Sequence, residues 1–313
     1  MASLTLGRAG KMAMVAGPLG WGLALFLAVL VSGPISGGHV NPAVSVSLAA
    51  IGKFPLAKVA HYVVAQYLGA FMGAVLVYWI YIDVTWDGAD GIEQFDGGVR
   101  AVLPEPSATA HIFATFPQAH VGTGAAFLDQ LMGTALLLVA IRTAQSTGSP
   151  LQAASVIGAS LTAIGLGLSH NCMGALNPAR DLAPRVFSSM AGWGASVFSI
   201  RGYNWFWVPV LGPHLGGLLG VLIFHFFATA APAKADNQES PPTSISLDED
   251  KPGRYLLSLH HIEGLRLKAY KEDLDLSTEQ SMYLSYVAPI LFFYYFSIKV
   301  LLSRKETFAL SRR

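Results

Sequence analysis

Five long apolar stretches, separated by polar turns, divide the first 230 residues of the chain. They lie near residues 12–35, 59–82, 123–141, 151–169 and 206–229. Each has about the 20 residues that an α-helix needs to cross bilayer hydrocarbon, so the pattern predicts an all-α membrane protein. Small residues recur at a helix-packing interval as Gly69-x-x-x-Gly73 and Gly212-x-x-x-Gly216-x-x-x-Gly220. In lipid such positions let backbones approach closely, although any one pair also reads as scatter in a Gly-rich chain.

The polar segments complete the layout. Residues 83–121 carry Asp83, Asp87, Asp90, Glu93, Asp96 and Glu105, and are expected outside the hydrocarbon as a vestibule rim. Residues 1–16 form an amino-terminal segment, and 17–230 the membrane domain. Residues 231–281 are rich in Pro, Ser and charge and predict a disordered tail. Residues 282–303 turn apolar again and have the length of a span, against which stand Pro289 and Lys299; 304–313 are basic.

Composition sharpens the class. The 313 residues are 53% hydrophobic and 12% charged, with 32 glycines and a mean hydropathy of +0.48. These are membrane values. A net charge of +1 gives no basic surface for nucleic acid, and the single Cys172 excludes an intrachain disulfide or a multi-cysteine metal centre. Arg8 and Lys11 precede an apolar run too long for a signal peptide. Neither a cofactor nor a catalytic residue is predicted. His39, His170 and Cys172 have no carboxylate spaced to complete a metal or nucleophile site.

Two short motifs interrupt the apolar pattern. Ser36-Gly37-Gly38-His39-Val40 runs into Asn41-Pro42-Ala43, and Met173-Gly174-Ala175-Leu176 into Asn177-Pro178-Ala179-Arg180-Asp181. Asn caps orphan amides and Pro suits the first helical position, so each motif starts a helix. A helix starting in mid-membrane must aim its positive end at something polar. Two such starts, one in each half, predict an inverted repeat with its site at the bilayer midplane.

The paired Asn-Pro-Ala boxes resemble those of the major intrinsic protein (aquaporin) family. Arg180-Asp181-Leu182-Ala183-Pro184-Arg185 and Ala191-Gly192-Trp193-Gly194 are similar to its glycerol-conducting branch, the aquaglyceroporins. The resemblance covers roughly residues 17–230. It implies a right-handed helix bundle with two re-entrant half-helices, and a passive channel for water, glycerol and urea. It also implies a homotetramer crossing the lipid bilayer, most naturally the plasma membrane, several times. Members of this family have six spans. Here one span precedes the first box, so the family's first helix is expected to be absent.

Residue roles follow from that resemblance. Asn41 and Asn177 are expected to donate into one pore while the two half-helix dipoles repel cations. The filter is expected at Trp21, Gly165, Gly174 and Arg180. Arg180 is too costly for lipid, so it must face water or a partner such as Asp181. The two glycines widen the slot, or else serve helix packing. Carbonyls of Gly37, Gly38, His39 and Val40, and of Asn171, Cys172, Met173 and Gly174, are expected to line the half-pores. Asp129 is expected to tie down the second re-entrant loop, and Asp181 to brace it. Two further classes stay open. One is a secondary transporter, which would need a coupling-ion site. The other is a non-conducting or regulatory subunit, suggested by the absent helix.

Overall fold

The computed structural model describes residues 1–83 and 90–230. The expected tail, extra span and basic terminus lie outside the described residues. Among those described, every regular element is helical. A short helix, α1 (Ala2–Leu6), leads into the first long one, α2 (Ala13–Ser36). The half-helix α3 (Pro42–Ala50) follows, then α4 (Leu56–Tyr81). The outer loop holds α5 (Ile92–Asp96). The second half comprises α6 (Thr123–Ala144), α7 (Pro150–Leu168), the half-helix α8 (Pro178–Ser188), a single turn α9 (Ser196–Ser199) and α10 (Val208–Ala230). The five long helices are apolar enough to cross a membrane, and their bounds fall within a few residues of the sequence pattern.

Close helix contact depends on glycine. A Cβ at Gly212 would stand 2.8 Å from that of Gln130, and one at Gly216 or Gly220 would collide with the carbonyls of Leu131 or Ala135. The α10 stripe is therefore the surface on which α6 packs. Likewise α2 meets α7 where a Cβ at Gly158 would lie 2.7 Å from Phe26. The α4 stripe behaves differently: a Cβ at Gly69 or Gly73 would meet nothing within 4 Å.

The outer loop is more than a rim. Ala108, Thr109, Ala110 and Ile112 to Phe116 are buried, and Phe113 packs with Phe187 and Trp193. The loop's short apolar run dips into the bundle, while its charges stay at the end. There Asp96 and Glu93 pair with Arg100, and Thr109 donates to Asp96 at 2.9 Å. Burial alone would pull the Arg100 guanidinium down, but bonds to Tyr78, Asp96 and Glu93 hold it above its ordinary value. Leu6 of α1 is buried in the same cluster, and Thr5 Oγ1 lies 3.0 Å from His111 Nε2.

Candidate functional site

Each half-helix is started by its own sequence. Asn41 is extended (φ −156°, ψ 122°) and its side chain accepts from the Ala43 amide at 2.9 Å, with Pro42 in the first turn. Asn177 repeats the arrangement (φ −151°, ψ 111°), accepting from Ala179 and Arg180. With 9 and 11 residues, the half-helices are about 14 and 16 Å long, roughly half a bilayer core each.

The two starts then lock onto each other. Asn41 Nδ2 donates to the Leu176 carbonyl at 2.9 Å, and Asn177 Nδ2 donates to the Val40 carbonyl at 2.8 Å. These bonds join residues 135 and 137 positions apart. An amide nitrogen has two donor hydrogens, so each Asn keeps one for the lumen. Val40 and Leu176, the accepting residues, both have positive φ (43° and 50°). That left-handed conformation turns each carbonyl back across the midplane.

A cavity of about 1360 Å³ runs past both Asn residues, with Gln145 and Pro150 at one end and Gln118 and His170 at the other. Arg180 lies on its wall with the guanidinium carbon 4.1 Å above the Trp21 ring and Nη1 donating to the Phe113 carbonyl at 2.8 Å. Gly37, Gly38, His39 and Val40 line the first half of the wall; Met173 and Gly174 line the second. Asn171 and Cys172, expected among the lining carbonyls, stand behind that wall. The Asn171 carbonyl accepts the Gln118 amide at 2.8 Å, and Cys172 is fully buried. The loop rejoins the cavity wall at Met173, where φ becomes positive (62°).

The two glycines expected in the filter have different reasons to be glycine. A Cβ at Gly165 would stand 2.9 Å from that of Pro18, so α2 and α7 pack closely there as well as bordering the cavity. Gly174 has room around it but sits at φ +53°, where a side chain is strained.

Arg180 has no ion pair with Asp181. Asp181 turns away, fully buried, and accepts from Arg185 Nε at 3.0 Å and Nη2 at 2.8 Å, and from both the amide and hydroxyl of Thr115. Arg185 also donates to the carbonyls of Thr115 and Val197. Asp129 accepts from Cys172 Sγ at 3.4 Å. Its neighbour Gln130 does more, donating to Cys172 Sγ at 3.0 Å and accepting the Leu176 amide at 2.8 Å. On the first loop Ser45 serves, receiving Gln66 Nε2 and lying 3.0 Å from His39 Nδ1.

Sequence reasoning missed Gln130, Thr115, Arg185 and the Phe113 carbonyl. A polar residue in mid-span next to Asp129 was a readable signal for Gln130. A carbonyl leaves no such trace. Among the described residues no three metal-ligating side chains converge.

Comparison with known proteins shows the family and the fold. The profile of the major intrinsic protein family matches residues 2–224. Human aquaporin-9 is 39% identical over 264 residues, covering 82% of this chain and 84% of its own. The rat aquaporin-9 is 40% identical over 238 residues, covering 74% of this chain and 77% of its own. The crystal structure of the aquaglyceroporin from Plasmodium falciparum superposes with a TM-score of 0.57 at 32% identity, over 68% of this chain and 81% of that one. The chain is a multi-pass membrane protein without enzymatic activity, and it belongs to the major intrinsic protein family.

Proposed function

We propose that this channel for water and small solutes passes glycerol and urea as well as water, through the lumen bordered by Trp21, Arg180 and the two boxes. The Arg180–Trp21 pair carries the reading. At 4.1 Å from the guanidinium, the indole presents an apolar face beside a fixed donor. A polyol has the matching character, a carbon edge opposite a row of hydroxyls. Urea is smaller and shares the donor and acceptor needs. Assembly as a homotetramer is part of the same proposal.

Conduction of neutral rather than charged solutes has an electrostatic basis. Two half-helix N-termini and Arg180 converge on the lumen, and together they repel cations. Among the described spans no carboxylate cluster offers a coupling-ion site, which favours a channel over a transporter.

One observation favours a second reading, a subunit that conducts only when something else closes its flank. Although α2 packs on α7 and α4 on α3 and α8, α2 and α4 scarcely meet. Leu23, Leu27 and Val31 of α2 and Leu68, Met72 and Leu76 of α4 are exposed.

Liposomes holding the chain test both readings, through glycerol, urea and water flux with sucrose as the excluded control. Trp21→Ala and Arg180→Val are each expected to change the glycerol-to-water flux ratio by about tenfold, the scale of one lost oriented contact of about 1.4 kcal/mol. An unchanged ratio in both variants sinks the filter assignment. No flux at all from the unmodified chain favours the second reading.

A further inference from the structure

His120 and His170 come from separate segments, yet their ring centroids lie 6.3 Å apart, with the planes inclined at 40°. The fold holds them there. His170 precedes Asn171, whose carbonyl accepts the Gln118 amide at 2.8 Å, and His120 stands two residues beyond Gln118. From the other side Arg201 donates to the carbonyls of Gln118 (2.7 Å), Ala119 (3.4 Å) and Val121. Both imidazoles are exposed, so their ring nitrogens are open to a ligand.

We propose that His120 and His170 form a binding site for a divalent transition-metal ion, Zn²⁺ foremost, at the rim of the lumen. Neutral imidazole binds Zn²⁺ at about 2.0–2.1 Å, and two rings sharing a tetrahedral ion have centroids roughly 5 Å apart on that bond length. The observed separation is about 1 Å greater, within the reach of small side-chain rotations at an exposed site. Waters complete the coordination. A pair of nitrogens selects a transition ion over Mg²⁺ or Ca²⁺, which prefer oxygen ligands. The Arg201 charge opposes a further positive ion, so binding is weaker than in a closed site of three or four ligands. His170 and Gln118 line the cavity. An ion held there places a hydrated double charge on the way to Arg180, and slows passage.

The effect on passage rests on the channel reading, but binding does not. Purified full-length chain is titrated with Zn²⁺ against a chromophoric chelator, alongside His120→Ala, His170→Ala and the double variant. All retain His260 and His261 as a common background. Each single variant is expected to weaken the tightest Zn²⁺ binding by about tenfold or more, a scale that even outer-shell changes reach. The double variant is expected to abolish it. Melting temperatures confirm that the exposed substitutions leave the fold intact. In liposomes Zn²⁺ is expected to slow glycerol flux through the unmodified chain and not through the double variant. Equal Zn²⁺ affinity in the unmodified chain and the double variant overturns the site. Flux equally insensitive to Zn²⁺ in both overturns its effect on passage. A chain that conducts nothing without metal counts against the channel reading alone, since chelator competition still reads the pair.

Discussion

The two halves of the molecule use the same device and support it differently. Both begin a half-helix at Asn-Pro-Ala, and each Asn bonds the carbonyl before the other. The second half anchors its loop into protein. Asp129 and Gln130 hold Cys172 and Leu176 from α6, and the Asp181–Arg185 pair fixes α8 to the outer loop at Thr115. The first half has lighter fastenings: Gln66 to Ser45, and Tyr62 to the Ser36 carbonyl at 3.0 Å. It also leans on the second half, where a Cβ at Gly217 of α10 would press on Ser47. Pore geometry is thus shared between the halves by cross-bonding, while rigidity comes mainly from one of them.

Breaking the buried pair gives the largest expected effect. Asp181 and Arg185 are both fully buried with their polar atoms satisfied. Arg185→Leu leaves a carboxylate without its cation, which is expected to cost about 3–5 kcal/mol. Gln66→Leu, at the first loop, is expected to cost about 1 kcal/mol, the worth of one hydrogen bond. Thermal melts in detergent compare them, and equal losses would erase the distinction between the halves.

The glycine stripes come next. Gly216→Leu forces a side chain against the Leu131 carbonyl, so a loss of about 1–3 kcal/mol or more is expected. Gly73→Leu on α4 meets open space and is expected to change stability by no more than about 0.5 kcal/mol. Because Gly73 lines the cavity, that variant should lower flux instead. A large stability loss at Gly73 would mean that α4 has a partner on that face.

The last expected effect is one of pH. Burial, with a lesser contribution from the nearby amino terminus, lowers His111 from 6.5 to about 4. The folded state therefore takes up this proton later than the unfolded chain. Stability is full above the unfolded value and falls as pH drops from 6.5 toward 4, by about tenfold in the folding equilibrium at pH 5.5. His111→Gln should flatten that part of the melting profile. An unchanged profile would show that His111 is not what makes the outer loop acid-sensitive.

Much was determined by the sequence alone, because the constraints were local or set by the bilayer. Five apolar runs of span length fixed the long helices, since a backbone in hydrocarbon must satisfy its own hydrogen bonds. Asn followed by Pro fixed both half-helix starts, since the cap lies within three residues of what it caps. The second loop was less legible. Arg180 was expected to face water or pair with Asp181; the packing of Thr115 against α8 instead gives Asp181 to Arg185, one turn on. Gly165 and Gly174 look alike in sequence; only the approach of Pro18 and the left-handed turn separate their roles. The equally regular stripes of α4 and α10 parted in the same way, one filled by α6 and the other open. Spacing along one helix is written in that helix, whereas contact depends on which surface arrives opposite, and that is decided by the whole chain.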